Sequence, residues 1–308
     1  MTRFLIDSIL VRQRRKGAVL GLSGGIDSTV TAYLCAKALG KDRVIGLLMP
    51  ERESDEDSLK LGKMVAESLG IRYYVEDITR ILDAAGCYGR RDEAIRRMEA
   101  DYSEGWRSKL VLPSIFEGDR FNVSRLVVES PDGERKVHRP GYREYFGIVA
   151  ASNFKQRTRK MMEYYYADRF NLSVIGTPNI LEYQLGFFVK NGDGAADVKP
   201  IAHLYKTQVF EIGRYLGVPE EILEREPTTD TYSLPQTQDE FYFALPYSEM
   251  DIALKAYNEG MGPEALSGEI GITMEQAVRV FRDIESKINA TRYLHMGPDI
   301  IDSPFERN

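Results

Sequence analysis

The 308-residue chain has only two cysteines, Cys35 and Cys87, with one tryptophan and three histidines. Two cysteines cannot build a disulfide framework, and these stand at no metal-ligand spacing. Cys35 sits in an apolar helical stretch, where a small buried side chain is the simplest expectation. A reactive thiol needs an electropositive, accessible setting, so a built-in thiol glutaminase is not expected. Long apolar runs are also missing, and no window approaches the ~20 residues of a membrane span. The opening MTRFLIDSILVRQRRKG lacks the apolar centre of a secretory signal. A cytoplasmic protein with no membrane partner is therefore expected. Excess positive charge is absent too, the formal net charge being −6. General nucleic-acid binders need a basic stripe to displace counterions, so no nucleic-acid partner is expected, although a local basic pocket for phosphates is compatible with this balance. What is left, 43% hydrophobic and 29% charged, is ordinary for a globular α/β domain.

The apolar run Ala18 to Leu22 does not alternate, as a strand buried on both faces should not. Ser23-Gly24-Gly25 breaks it, and Asp27 to Leu39 reads as a helix ending at Gly40. Val44 to Met49 reads as a second buried strand, Ser58 to Leu69 as an amphipathic helix capped by Gly70, and Ile71 to Val75 as a third strand. This alternation predicts right-handed βαβ units, hence a doubly wound parallel sheet with helices on both faces. From about 83 to 145 the rhythm breaks. A charged helical segment, Asp92 to Ala100, precedes Trp106, and Arg125 to His138 reads as a hairpin turning at Pro131-Asp132-Gly133. The stretch is expected to be an insertion or lid on a single domain spanning 1–308. The core resumes with a helix over Lys155 to Phe170, a strand over Leu172 to Ile175 and a helix over Lys206 to Leu216. Residues 226–240 read as a mobile loop, and helices near 247–258 and 273–289 close the chain.

The densest chemical signal is Gly21-Leu22-Ser23-Gly24-Gly25-Ile26-Asp27-Ser28, between the first strand and the first core helix. Glycines let backbone N–H groups turn into one concavity, hydroxyls add donors, and a helix N-terminus adds positive potential, which together make an anion cradle. No Gly-Lys-Ser/Thr follows, so it is not a Walker loop, and the glycines do not have dinucleotide-fingerprint spacing.

Ser-Gly-Gly-Ile-Asp-Ser resembles the signature of the N-type ATP pyrophosphatases, which cleave ATP between the α and β phosphates and adenylate an oxygen that a nucleophile then frees. A second block narrows the likeness: Asn153-Phe154-Lys155-Gln156-Arg157-Thr158-Arg159, Gly176-Thr177, Glu182, Gly186 to Gly194, Asp197, Pro200 and Leu204-Tyr205-Lys206-Thr207. This resembles the NAD synthetase pattern, and Glu226-Pro227-Thr228 with Gln238-Asp239-Glu240 continues it. The likeness covers about residues 15–80 and 150–260. It implies an ammonia-dependent amide synthetase that uses ATP and Mg2+ to amidate nicotinate adenine dinucleotide (deamido-NAD), assembled as a homodimer. By the same resemblance Gly21, Ser23, Gly24, Gly25, Asp27, Ser28, Thr177, Lys206 and Thr228 would hold ATP, and Asp27 and Glu182 the metal. Arg157, Lys190, Asp193 and Asp197 would meet the second substrate, and Asp27, Lys190 and Lys206 would be catalytic. No stretch is left for a glutaminase domain, so a separate glutaminase is a possible partner.

Three departures bear on the acid substrate. Ile180-Leu181 replaces a polar pair after Asn179, Ala290-Thr291-Arg292 lacks the basic residue that the family carries before its arginine, and the 83–145 stretch is long. Arg120, Lys136 and Arg139 are the insertion's candidates for neutralising the acid. An amide ligase of the same superfamily acting on another carboxylate stays open as a rival. A non-catalytic nucleotide sensor or a tRNA-modifying enzyme fits the retained carboxylates and the acidic balance less well.

Overall fold

The structure, a computed structural model, describes residues 1–112, 124–226, 231–236, 242 and 245–301. A short helix, α1 (Thr2–Ile6), runs into a wider helical turn and lays Leu5 and Ile9 on the core. Two βαβ units follow: β1 (Ala18–Gly21), α2 (Ile26–Leu39), β2 (Val44–Leu48), α3 (Glu56–Leu69) and β3 (Arg72–Val75). Helices α4 (Thr79–Ala84) and α5 (Cys87–Arg96) lead to strands β4 (Arg107–Val111), β5 (Arg125–Glu129) and β6 (Arg135–His138). The long α6 (Tyr142–Phe170) brings the chain back to β7 (Ser173–Val174) and α7 (Ile180–Leu185). Then come α8 (Lys206–Leu216), α9 (Glu220–Leu223), α10 (Tyr247–Asn258), α11 (Pro263–Ile270) and α12 (Met274–His295).

The main sheet has the order β3-β2-β1-β7 and every neighbouring pair is parallel. Side chains alternate across it as a pleat requires. Ala18 and Leu20 of β1 and Val44 and Leu48 of β2 join α2, α3 and α8 on one face. Val19, Ile45 and Leu47 join α4, α5 and α6 on the other. Each fully buried branched side chain contributes about 1.5–3 kcal/mol, and β1 and β2 carry such side chains at every position except Ala18, Gly21 and Gly46. Both faces are covered, as the unalternating apolar runs predict. The strand order reverses between β1 and β7. That is the switch point where such sheets leave a crevice at their carboxyl ends.

Several boundaries differ from the sequence reading. Helix α6 starts thirteen residues before Lys155, at Tyr142, so it, and not a loop, carries the chain out of the insertion. Aromatic residues and Gly147 obscure helical periodicity there. The charged helix lies at Cys87–Arg96 because Cys87, Tyr88, Ala94 and Ile95 are the face it buries. The expected hairpin exists, with Leu126 opposite His138, and β4 joins it as a third antiparallel strand. Of the expected loop at 226–240, residues 227–230 and 237–240 lie outside the described residues, Thr228 among them, as does Arg120. Both cysteines are buried, and burial pushes the Cys35 thiol up to about 12 and the Cys87 thiol up to about 11. Among the described residues no helix is long and apolar enough to cross a membrane.

Candidate active site

A cleft of about 900 Å³ opens at the carboxyl ends of β1, β2 and β7. Its floor is the turn between β1 and α2. Gly24 there has φ +73°, and a Cβ on it would lie 2.6 Å from Leu61 Cβ and 3.0 Å from the Ser58 carbonyl oxygen. Only glycine fits that left-handed, crowded position. The turn is locked from within. The Gly25 N–H donates to Ser23 Oγ (3.3 Å), the Ser28 hydroxyl donates to the Gly25 carbonyl (3.0 Å), and Ser23 Oγ lies 3.1 Å from Ser28 Oγ. Gly25 caps α2 without a side chain, which leaves the first-turn N–H groups of a 14-residue helix facing the cleft.

Asp27, in the first turn of α2, is gripped from two sides. Asn179 Nδ2 donates to its Oδ1 at 3.1 Å, and the Lys206 ammonium makes an ion pair with Oδ2. Asn179 also caps α7. Its Oδ1 accepts from the Glu182 N–H at 3.1 Å, while Glu182 Oε2 accepts from the Asn179 N–H at 3.1 Å. One asparagine thus holds the two metal-candidate carboxylates in a common frame. Burial, and then the nearby Asp27 charge, push the Glu182 carboxyl up to about 8, against the pull of Lys206. That raised value reflects a spot short of positive charge, since ionising Glu182 beside Asp27 would leave two carboxylates facing one ammonium. A hard divalent cation fits that deficit, since magnesium takes one or two protein carboxylates and completes its shell with phosphate and water oxygens. Among the described residues no group of three or more His, Cys, Asp or Glu forms a self-sufficient metal cage. Lys206 is itself fixed by Asp251 of α10, whose carboxylate accepts from the Lys206 N–H at 3.0 Å and the Thr207 N–H at 2.7 Å.

The other expected site residues are placed less uniformly. Gly21, Ser23, Gly25, Ser28 and Thr177 line the cleft with Arg157, Lys190 and Asp193. Arg157 Nε donates to the Lys190 carbonyl at 3.3 Å. The Lys190 ammonium donates to the carbonyls of Tyr293 (2.8 Å) and Met296 (2.9 Å), so it closes the carboxyl end of α12 at the cleft wall. Asp193 accepts from the Val189 N–H at 2.8 Å and shapes its own turn. Asp197 is different. It accepts from the Val174 N–H at 2.8 Å and from the Tyr164 hydroxyl at 3.3 Å, bracing β7, and the described cleft lining does not include it. Lys136 is drawn to Glu99 at 3.2 Å, and neither it nor Arg139 is among the described residues lining the cleft. The three histidines stay outside the phosphate site. His138 meets Glu99, and His295 packs edge-on against Tyr183.

Two of the departures acquire a packing reason. Leu181 is fully buried against α10 and α12, and Ile180 packs against the same cluster. Thr291 sits so close to Gly186 that a Cβ on that glycine would lie 2.2 Å from its own Cβ, and its hydroxyl donates to the Lys287 and Leu185 carbonyls. Sequence reasoning missed a buried charge network at the cleft rim. Lys155 reaches Glu51 and Glu53, both at 2.8 Å, Arg91 reaches Glu53 at 2.6 Å, and the Tyr88 hydroxyl donates to Glu51 at 2.7 Å. Lys155 stands inside the quoted Asn-x-Lys-x-Arg-x-Arg block, yet nothing local reveals its carboxylate partners, the nearer being 102 positions away. Asp251, 45 positions from Lys206, was invisible for the same reason.

A parallel sheet ending in such a cradle characterises proteins that hold a nucleotide by its phosphates. The chain belongs to the NAD synthase family, whose model matches residues 1–102 and 134–294. It is 55% identical over 288 residues to the NH(3)-dependent NAD(+) synthetase of Rhizobium meliloti (strain 1021), covering 94% of this chain and 86% of that protein. Among solved structures, the NMN synthetase from Francisella tularensis matches with TM-score 0.66 at 24% identity, covering 98% of this chain and 95% of the other. The NH3-dependent NAD synthetase from Campylobacter jejuni matches with TM-score 0.62 at 23% identity, again over 98% and 95%. These two share the fold.

Proposed function

We infer that this chain is an enzyme that amidates nicotinate adenine dinucleotide with ammonia at the expense of ATP, giving NAD, AMP and pyrophosphate. The observation that carries the reading is the meeting of Asp27, Glu182 and Lys206 around Asn179 beside the Ser23–Ser28 cradle, in a chain of this family. The cradle and the α2 N-terminus would receive the phosphates of ATP, and Lys206 would add a fixed positive charge. Asp27 and Glu182 would hold Mg2+, which when bound neutralises charge on the phosphate oxygens.

The reaction needs no protein nucleophile. A carboxylate oxygen of the acid bonds to the α-phosphorus as the bond to pyrophosphate breaks. The ammonia nitrogen then bonds to the acyl carbon, AMP leaves with the acyl oxygen's bonding pair, and a nitrogen-bound proton passes to solvent. The protein's part is alignment and preorganised charge, worth several kcal/mol by these effects. Arg157 and Lys190 would orient the acid-bearing substrate.

A homodimer belongs to the same reading, supported by the exposed Tyr142, Met161 and Tyr165 along α6. A cytoplasmic setting and a separate ammonia donor such as a glutaminase complete it. Turnover with ATP, Mg2+, ammonium and a panel of carboxylates tests the reading, scored by product mass and by AMP. Stoichiometric ADP would overturn the adenylation chemistry. Adenylation of a smaller acid with no use of the dinucleotide would replace the substrate and keep the chemistry.

A further inference from the structure

The family model leaves residues 103–133 unmatched, and that stretch holds β4 and β5. Strand β4 lies at the edge of its sheet, paired with β5 on one side only. In an antiparallel pair, alternate residues turn both backbone polar groups away from the partner. On β4 these outward groups belong to Ser108 and Leu110, and segment 231–236 meets both groups of Ser108 and the carbonyl of Leu110. The Ser108 N–H donates to Ser233 Oγ at 2.9 Å, the Leu234 N–H donates to the Ser108 carbonyl at 3.2 Å, and Gln236 Nε2 donates to the Leu110 carbonyl. The Ser233 hydroxyl also donates to the Ser108 carbonyl at 3.5 Å, and Lys109 Nζ donates to the Pro235 carbonyl at 3.1 Å. Of these bonds only that of Leu234 joins backbone to backbone, so the segment is docked beside the edge and not woven in as another strand. Tyr232 is buried with Leu110, Leu126 and Val128 in the core of the inserted sheet.

The same segment reaches across the cleft. The Thr231 carbonyl accepts from Lys155 Nζ at 3.0 Å, two positions from Arg157 on α6. Before the segment, Arg225 donates to Asp55 Oδ2 (3.2 Å) and to Ser58 Oγ (3.1 Å) at the start of α3, against which Gly24 of the cradle packs. Arg225, Thr231 and Tyr232 all line the cleft, as do Leu110 and Val111 of β4. Arg225 is therefore tied beside the cradle, and Thr231 to α6 two positions from Arg157.

We propose that the inserted β4 edge is a dock for residues 231–236, and that Ser233 and Gln236 are positioning residues which set affinity for the acid-bearing substrate. The proposal rests on the functional reading above, in which ATP takes the cradle and the acid takes the Arg157 side. Neither residue lines the cleft. Each acts by fixing Thr231, Tyr232 and the β4 wall, a device that a family core without residues 103–133 does not contain.

The test is the full chain carrying Ser233→Ala with Gln236→Leu, beside the conservative Ser233→Thr alone. Trp106, the single tryptophan, packs against Tyr102 just before β4, so its emission reports whether the inserted sheet is intact. With emission unchanged, the double variant should show KM for nicotinate adenine dinucleotide raised about fivefold or more, the scale of losing one or two neutral hydrogen bonds. KM for ATP and kcat should stay within about twofold, and Ser233→Thr, which keeps the hydroxyl, should resemble the wild type. Amide exchange at Leu234 should accelerate in the double variant, independent of any turnover. An unchanged acid KM in an active double variant, or an equal rise for ATP, overturns the positioning role. Unchanged exchange at Leu234 overturns the dock. A wild-type chain that ignores the dinucleotide removes the functional reading and this substrate role together, and exchange then still decides whether the dock exists.

Discussion

At the cradle end of the cleft, Ser23 and Ser28 bond across five positions, and Gly25 meets Ser23 across two. At the opposite wall, Ser108 meets Ser233 across 125 positions and Leu110 meets Gln236 across 126. The first arrangement is nearly a property of one turn. Its residue types are dictated locally, by a left-handed backbone angle, a helix start and the need to present N–H groups to an anion. The second exists only after the chain has folded, and many residue types could supply a hydroxyl or an amide at such a wall. In the reading proposed above, the phosphates would meet the local turn, although Asp27 within it is held by Asn179 and Lys206 from 152 and 179 positions away, and the acid would meet the assembled wall.

Breaking the local half should cost most. Asp27→Asn keeps the hydrogen bond from Asn179 but removes the charge that faces Lys206 and that, with Glu182, would hold the cation in the proposed reading. We expect kcat to fall by about 10² or more with the fold retained, the scale of losing one preorganised electrostatic group. Steady-state kinetics with circular dichroism as a control checks this. An unchanged kcat would remove Asp27 from the site.

The legibility of the protein follows the same division. The parallel sheet was readable because β1 and β2 are buried on both faces and show as unbroken apolar runs. Lys206 to Leu216 was readable to the residue because Gly217 takes the left-handed cap and the amphipathic face is clean. Helix α7 escaped notice, being six residues long with its capping box hidden inside a motif. Helix α11 escaped because Gly268 and the flanking glycines mask it. Asp197 looked like a site residue through its place in a matched block, but its carboxylate serves the β7 backbone. Motif resemblance reports that a side chain matters, and geometry alone reports to what.

A smaller loss tests whether the cradle's shape is dictated by its backbone. Gly24→Ala forces a side chain onto φ +73° with 2.6 Å to Leu61 Cβ. Left-handed strain and overpacking together should destabilise the chain by about 2 kcal/mol or more. Urea unfolding would show this as a lower midpoint at constant slope. A neutral result would mean that the turn tolerates another conformation, and the contrast between local and assembled halves would weaken.

On the assembled side, Arg157→Ala should raise KM for the acid about tenfold and KM for ATP far less. A guanidinium suits bidentate contact with a phosphate or carboxylate, and one such contact is worth about 1.5–3 kcal/mol. Its removal also frees the Lys190 carbonyl, which lies at the exposed rim where water can replace the lost donor. The reverse order of KM effects would place Arg157 at the nucleotide and move the border between the two halves.

The smallest effect is expected at Thr291, where the motif resemblance leads one to expect a basic residue. If the threonine hydroxyl had taken over a substrate contact, the assembled half would contain one more recognition group. The structure directs that hydroxyl elsewhere, to the Lys287 carbonyl at 2.6 Å and the Leu185 carbonyl at 3.2 Å, while the side chain fills the space over Gly186. Thr291→Val keeps that volume and deletes only the hydroxyl. The Lys287 carbonyl retains its place in the backbone ladder of α12, so the net cost should be about 0.5 kcal/mol or less, near the lower end for a hydrogen bond whose partner is otherwise satisfied. Thr291 lines the cleft, but its hydroxyl is bonded away from it, so KM for the dinucleotide should move by less than about twofold. A tenfold rise with stability intact would show that the hydroxyl meets the substrate after all. The missing basic residue would then have been replaced at its own position, and the inserted sheet would no longer be the first place to look for what recognises the acid.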